Sequence, residues 1–424
     1  MGKKKTIAII MAVIVVLAAA FVGYELFIVK RGLVKTDAGT YYYDNSGKAL
    51  SGLNDLPDGT RRYFDPATNL MVTGEAEIDG NKYLFDGEGV MQFGLQKTDS
   101  AARFYDPSTG IMQTGWIDYE GSKLYFDPQT GDEALGLSVI DGKQYFFDKD
   151  SGLMKTGEVN VDGEMYCFDA TTGAGLDGFF ENNGVKHAYI GGKMLKGVRA
   201  YADNHLYYFD DSGEIVRDID GNKPMVALTY DDGPSKYTDA ILDVYEEYGQ
   251  KCTFFIVGDR ISWNEDQAIR EFELGCEQGN HTFSHNRLTD LTGEEMTEKL
   301  KGTDDELIRI SGKPSTCLRP PEGKWNETLK EVCGCPIILW SIDSRDWDSR
   351  NADSICNRVI GKVQDGDIVL MHDLYQATAD ATKRIVPALL NDGFQLVTVE
   401  EMGLLKTGGV GLEDGVVYYS IPNR

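Results

Sequence analysis

From residue 43 to residue 210 an aromatic followed by aspartate returns at a nearly fixed period: Tyr43-Asp44, Phe64-Asp65, Phe85-Asp86, Tyr105-Asp106, Phe126-Asp127, Phe147-Asp148, Phe168-Asp169 and Phe209-Asp210. The aspartates step by 21, 21, 20, 21, 21, 21 and 41 residues, so a degenerate unit, at Tyr189-Ile190, fills the last gap and about nine units follow one another. Each unit carries a glycine, an apolar residue, an Asp-Gly-type turn (Asp79-Gly80, Asp141-Gly142, Asp162-Gly163), two or three aromatics, and a second glycine turn such as Ser151-Gly152. Two short alternating strands about an Asp-Gly turn form a β-hairpin. One such hairpin has no second layer to cover its aromatic face. Residues 30–218 are therefore expected to stack into an all-β hairpin solenoid.

The chain's 424 residues, 42 % hydrophobic and 26 % charged, suffice for more than one domain with a sizeable core. A formal net charge of −26 repels polyanions, which excludes nucleic acid as a partner and favours neutral or cationic ones. Ahead of the repeats, Lys3, Lys4 and Lys5 precede an apolar stretch from Ile7 to Val29, interrupted at Gly23, Tyr24 and Glu25 and closed by Lys30 and Arg31. As a helix its 23 residues would reach about 34 Å, enough for a bilayer. A secretory signal cut after Ala20 would leave a greasy Phe21-Val22-Gly23-Tyr24 start. Residues 1–29 are thus expected to be an uncleaved membrane anchor with the rest of the chain outside, the secreted, wall-associated form being the alternative.

Near Asp220 the period ends and strand-like and helix-like segments alternate. The strand-like ones are Met225–Tyr230, Thr253–Val257, Pro336–Ile342, Ile368–Met371 and Gln395–Val399; the helix-like ones are Tyr237–Tyr248, Gln267–Leu274, Glu294–Ile310, Ser354–Val363 and Ala377–Leu390. Alternation of this kind argues for a parallel α/β sheet or barrel, with functional residues at the carboxyl ends of its strands. Five short runs lie at such ends or in the loops after them: Asp231 and Asp232 in LTYDDGP, His281 and His285 in NHTFSH, Arg319 in RPPEG, Asp343 in WSIDSRDW, and His372 in IVLMHD. Three of the chain's five histidines fall in these runs. Together they read as a metal-dependent hydrolytic site, with residues for the cation, a base, an acid and their orienting partners.

In order and spacing these runs resemble the polysaccharide deacetylase family, the NodB-homology domain of carbohydrate esterase family 4, over roughly Met225 to Leu405. The resemblance implies a distorted (β/α) barrel at 219–406, followed by a C-terminal tail at 407–424. It also implies removal of N-acetyl groups from peptidoglycan or chitin, or of O-acetyl groups from xylan. Asp232, His281 and His285 correspond to the metal ligands, with Zn²⁺ the expected divalent ion. Asp231 corresponds to the general base, Arg319 to the arginine that orients it, His372 to the general acid and Asp343 to the carboxylate that holds His372 protonated. Trp347 and Leu370 match positions that wall the sugar groove and acetyl pocket. Glu322 stands where family members usually carry tyrosine, a change bearing on substrate preference more than on activity, because the family uses that residue's backbone N–H for the oxyanion.

The repeats, in turn, look like the cell-wall and glucan-binding repeats of Gram-positive surface proteins, most clearly in GWIDYEGSKLYFDPQTG at 115–131. Choline-binding members cage the ligand with tryptophans, and Trp116 is the only tryptophan of this region, which argues against choline. Two readings stay open for the aromatics, glycan platforms or solenoid core in a spacer. Six of the seven cysteines lie beyond residue 250, with Cys252 and Cys276 on successive expected strands as a candidate disulfide. The whole reads as a membrane-displayed, extracellular enzyme deacetylating N-acetylglucosamine in an acetylated cell-wall glycan, most of all peptidoglycan. The alternatives are an O-acetyl xylan esterase of the same fold, and a wall-binding surface protein whose catalytic domain has lapsed.

Overall fold

The structure, a computed structural model, describes residues 30–97 and 101–422. The apolar stretch expected to span a membrane at 7–29 lies outside the described residues, among which no helix is long and apolar enough to cross one. Contacts divide the chain into a first unit that runs to Phe180 and takes in Ala188–Met194, and a second made of Glu181–His187 and the chain from Leu195 onward.

In the first unit, antiparallel hairpins succeed one another from Gly32–Thr36 with Gly39–Tyr43 to Gly157–Val161 with Glu164–Phe168. The sequence period has a physical cause in two neighbouring roles. The aromatics Phe64, Phe85, Tyr105, Phe126, Phe147 and Phe168 are buried. The aspartate after each folds the next turn by accepting backbone N–H groups, as Asp65 does from Ala67 and Thr68 and Asp148 from Asp150 and Ser151. The Asp79-Gly80 turn has φ of 51° and 78°, the doubly left-handed geometry that matches strand twist. Backbone bonds staple neighbouring hairpins to one another, among them Met91 N–H to Arg61 O and Met154 N–H to Lys123 O, both 2.8 Å. Trp116 packs between Tyr125 and Tyr145, at 5.0 and 4.9 Å between ring centres.

The second unit is built on a parallel sheet in the order Glu277–Asn280, Thr253–Ile256, Met225–Asp231, Asp367–His372, Ile342–Asp343, with Gln395–Leu396 pairing the start of Met225–Asp231. Every residue of the central strand MVALTYD is buried, the signature of a sheet covered on both faces. The sheet curls on through single parallel bridges, Asn280 to Leu318 and Leu318 to Ile337, giving an irregular, incomplete barrel. The stretch 407–424 was expected as a tail, but its described residues contribute to the barrel: Val417–Tyr418 pairs with Ile337–Ile338 in parallel and Ser420 bridges Asp367. Helices cover the outside. Thr238–Tyr248 buries the stripe Ile241, Leu242, Val244 and Tyr245 and ends where Gly249 turns left-handed; Gly293–Ser311 starts at a capping box between Thr292 and Glu295.

Two elements depart from the sequence expectation. Glu277–Asn280 is a fully buried strand with no apolar side chain. Partners replace hydrophobicity there: Glu277 accepts from Thr253 Oγ1 at 2.8 Å, Gln278 donates to Ala268 O at 2.8 Å, and Asn280 donates to Leu300 O at 2.9 Å. The expected strand Gln395–Val399 stops at Leu396, because Thr398 caps a helix, Val399–Lys406, through a capping box with Glu401. All seven cysteines are thiols, and Cys252 and Cys276 lie side by side with 3.8 Å between sulfurs.

A domain boundary was expected at residue 219, yet the last hairpin packs onto the barrel. Leu206 and Ile219 share one core with Met225, Ala227, Val399 and Met402. Buried Glu401 accepts from Arg217 Nη1 and, at 2.6 Å, from the Tyr208 hydroxyl, while Arg199 pairs with Glu400. Removing Arg217 leaves a buried carboxylate short of its cation, a loss of about 2–3 kcal/mol. Arg217→Met in the whole chain should lower the melting temperature of the second unit by about 5–10 °C, read by calorimetry.

Candidate active site

The carboxyl ends of the parallel strands open into a cleft of about 430 Å³ lined by Asp231, Asp232, His281, His285, Glu322, Trp340, Asp343, Trp347, Leu370, His372 and Tyr375. Asp231 ends the central strand, and the chain turns left-handed at Asp232, φ 73°. The glycine of DDGP is required there: a Cβ on Gly233 would fall 2.1 Å from Asp373 Oδ2. Burial raises the Asp373 carboxyl to about 7, and Thr238 Oγ1 donates to it beneath the loop.

His281 leaves its strand with its Nδ1 2.6 Å from Arg319 O. A carbonyl only accepts, so Nδ1 carries the proton and Nε2 presents a lone pair. That lone pair faces Asp232 Oδ1 at 3.4 Å, and His285 Nε2 faces the same oxygen at 3.2 Å. Burial, with His281 beside it, holds His285 below the ordinary imidazole value. Burial opposes ionisation of Asp232, but His281, His372 and His285 outweigh it and keep the carboxyl well below its usual range. Asp232 Oδ1 is buried without a hydrogen-bond partner. Two imidazoles and a carboxylate whose donor atoms lie within 4.8 Å of one another, one of them orphaned, fit a divalent cation.

Arg319 is fully buried. Its Nη1 donates to Asp231 Oδ1 and Thr229 Oγ1, both at 2.7 Å, its Nε to Ile338 O and its Nη2 to Leu339 O. Arg260, which the motifs did not single out, donates from Nη1 to the carbonyl of Asp232.

At His372 the expectation needs correction. Its partner is Asp346, not Asp343: Nδ1 meets Asp346 Oδ1 at 2.8 Å, while Asp346 Oδ2 accepts the His372 backbone N–H and the Thr378 hydroxyl, both at 2.7 Å. Asp343, paired in register with Leu370, turns its carboxylate onto the Arg345 N–H at 2.8 Å. The chain then bends left-handed at Arg345, φ 50°, and brings Asp346 to His372. The signal was present in WSIDSRDW, whose second acid sits three residues after the first. Burial opposes protonation of His372, yet Asp346, aided by the charges of Asp231 and Asp232, pushes the ring up to about 9. Leu370 is buried in the cleft wall and Trp347 is exposed at it. Glu322 sits at the rim with φ 58° and holds Arg287 at 2.7 Å and Lys324 at 3.2 Å.

Among known proteins, the polysaccharide deacetylase family matches residues 218–334 and the choline-binding repeat matches 134–177. A peptidoglycan-N-acetylglucosamine deacetylase of Bacillus cereus is 32 % identical over 203 residues, which cover 46 % of this chain and 94 % of that protein. The chain belongs to the polysaccharide deacetylase family. Other relatives are the peptidoglycan-N-acetylmuramic acid deacetylase PdaC of Bacillus subtilis, 38 % identical over 44 % of this chain, and the peptidoglycan-N-acetylglucosamine deacetylase PgdA of Listeria monocytogenes, 36 % identical over 42 % of it. The match spans 40 % and 38 % of the length of those two deacetylases. The solved structure of the Bacillus subtilis PdaC deacetylase is 38 % identical, with a TM-score of 0.44, covering 45 % of this chain and 95 % of that one.

A group whose pKa is raised stays protonated up to its shifted value, so an acid role for His372 persists to about pH 9 and fails above it. Asp346→Asn should move the alkaline limb of the kcat/KM profile to lower pH and cost about 10²-fold or more, whereas Asp343→Asn should leave that limb in place.

Proposed function

We propose that the protein hydrolyses the acetamide of N-acetylglucosamine units in a cell-wall polysaccharide, peptidoglycan foremost. The observation that carries this reading is the meeting, in one cleft, of the Asp232, His281 and His285 set with Asp231 and an Asp346-backed His372. Zn²⁺ suits two imidazoles and one carboxylate with positions left open. When bound, the ion supplies Lewis acidity and lowers the pKa of the attacking water. Asp231, held in place by Arg319, takes the water's proton as its oxygen adds to the acetyl carbon. The backbone N–H of Glu322 donates to the oxyanion that develops. Charged His372 then protonates the nitrogen, so that the C–N bond breaks to give acetate and a neutral amine, an amide anion being too basic to leave. Trp347 offers a stacking face to the sugar, and buried Leu370 lines the acetyl pocket.

Peptidoglycan is favoured by the substrates that the names of the relatives carry. The second reading is an O-acetyl esterase, because the same attack serves an ester, and a bifunctional xylanase/deacetylase of Pseudobutyrivibrio xylanivorans is 32 % identical over 189 residues. In the deacetylase reading residues 1–29 anchor the protein in the membrane, and the hairpins from residue 30 either bind the wall glycan or serve as a spacer.

Acetate release by the protein from residue 30 onward should be abolished by chelator, restored by Zn²⁺, and faster on peptidoglycan than on acetylxylan. Release from none of the acetylated glycans would overturn the reading in favour of a wall-binding protein. Asp231→Asn should lower kcat by about 10²- to 10⁴-fold with metal content unchanged, while His281→Ala should lose the metal. Deleting residues 1–29 should move the protein from the membrane fraction to the medium when an independent export signal is supplied.

A further inference from the structure

Beside His372 the rim of the cleft carries a cation that hydrolysis of the acetamide does not use. Arg350 ends the short helix Asp346–Ser349 in a left-handed conformation, φ 46°, with its N–H bonded to Asp346 O at 3.1 Å. Its side chain is held twice more: Nε donates to Trp347 O at 2.9 Å, and the guanidinium carbon lies 3.5 Å from the centre of the Tyr375 ring. Trp347 and Tyr375 both line the cleft, and the Tyr375 ring lies 6.0 Å from that of His372. The guanidinium is therefore fixed one ring away from the proposed acid.

No ion pair forms at Arg350 among the described residues. Of the other cations near the cleft, Arg287 and Lys324 are both engaged by Glu322, and Arg260 is bonded to the Asp232 carbonyl. With Nε occupied, the two Nη groups keep four N–H donors in a planar fork, the geometry that takes a carboxylate through two parallel bonds. Asp231, Asp232, Asp343 and Glu322 make the lining acidic. An anionic substituent entering beside them needs a cation already in place, and ordering Arg350 by stacking and hydrogen bonding in advance removes the entropy loss of recruiting one.

We propose that Arg350 is a specificity-determining residue that binds a carboxylate borne by the glycan, on or next to the sugar whose acetamide reacts. The preferred substrate class is then an acid-substituted amino-sugar polymer rather than a neutral one. The proposal rests on the deacetylase reading above and narrows it.

The test compares kcat and KM for acetate release from soluble peptidoglycan fragments, from the same fragments with their carboxylates converted to methylamides, and from neutral acetylated chito-oligomers of equal length. Arg350→Gln should lower kcat/KM on the carboxylate substrate by about tenfold, mainly through KM, and change it on the two neutral substrates by less than about twofold. Arg350→Lys, which keeps charge but not the fork, should recover part of the loss. Melting temperature and metal content, measured on both variants, establish that the cleft is intact. Equal losses on all three substrates, or none on the carboxylate substrate, would show that Arg350 only supports the Trp347–Tyr375 wall. Wild-type activity on the neutral substrates alone also overturns the proposal. Inactivity of the metal-loaded wild type on every substrate instead overturns the deacetylase reading itself.

Discussion

The site depends on one buried guanidinium. Arg319 lies at the centre of the barrel with Nε, Nη1 and Nη2 all bonded and its face 4.0 Å from the Phe255 ring. Through those bonds it ties the central strand at Thr229 and Asp231 to the chain at Ile338 and Leu339, where no regular strand pairing joins the two. Its own carbonyl fixes the tautomer of His281. A buried ion pair of this kind adds little net stability over apolar packing, while losing one partner strands a charge at a cost of about 3–5 kcal/mol. Its value here is positional, since one residue orients the proposed base through its side chain and a proposed metal ligand through its carbonyl.

The two ends of the cleft are tuned in opposite senses by the same means. Histidines facing Asp232 hold its carboxyl low, and burial keeps His285 neutral, so the donor set presents lone pairs and negative charge where a cation would sit. At the other end Asp346, itself fully buried, raises His372 to about 9 and keeps a proton ready. A candidate cation site and a protonated imidazole are thus set apart by environment within one cleft. Asp346 also accepts from a backbone N–H and the Thr378 hydroxyl, which leaves its carboxylate little freedom to turn away from His372.

The repeats and the barrel differ in how openly the sequence declares them. In the repeats each position has one local job, aromatic for core and aspartate for turn, and the period exposes both. In the barrel the strongly apolar strands at Met225–Asp231 and Asp367–His372 were legible, and so were the motif residues at their ends. The strand Glu277–Asn280 was legible only as a strand expected at Cys276, not in its own residues, because its polar side chains are satisfied by Thr253, Ala268 and Leu300, distant in sequence. Residues 407–424 read as a tail for a similar reason: Val417–Tyr418 becomes a strand only against Ile337–Ile338. The docked hairpin at 199–220 was hidden by its own periodicity, which it shares with its predecessors, although its partners belong to the barrel.

The sequence by itself determined the residue types of the chemistry and the order in which strands deliver them, because both follow from local pattern: apolar runs, left-handed turns that need glycine, and motif spacing. Tertiary structure alone decided the pairings. Asp343 and Asp346 are equivalent acids three residues apart, and only the left-handed bend at Arg345 selects which one meets His372. Likewise, nothing local distinguishes Arg287, spent on Glu322, from Arg350, stacked on Tyr375. Hydrogen bonds and ion pairs act over about 3 Å, a distance that sequence spacing cannot resolve once the chain has turned.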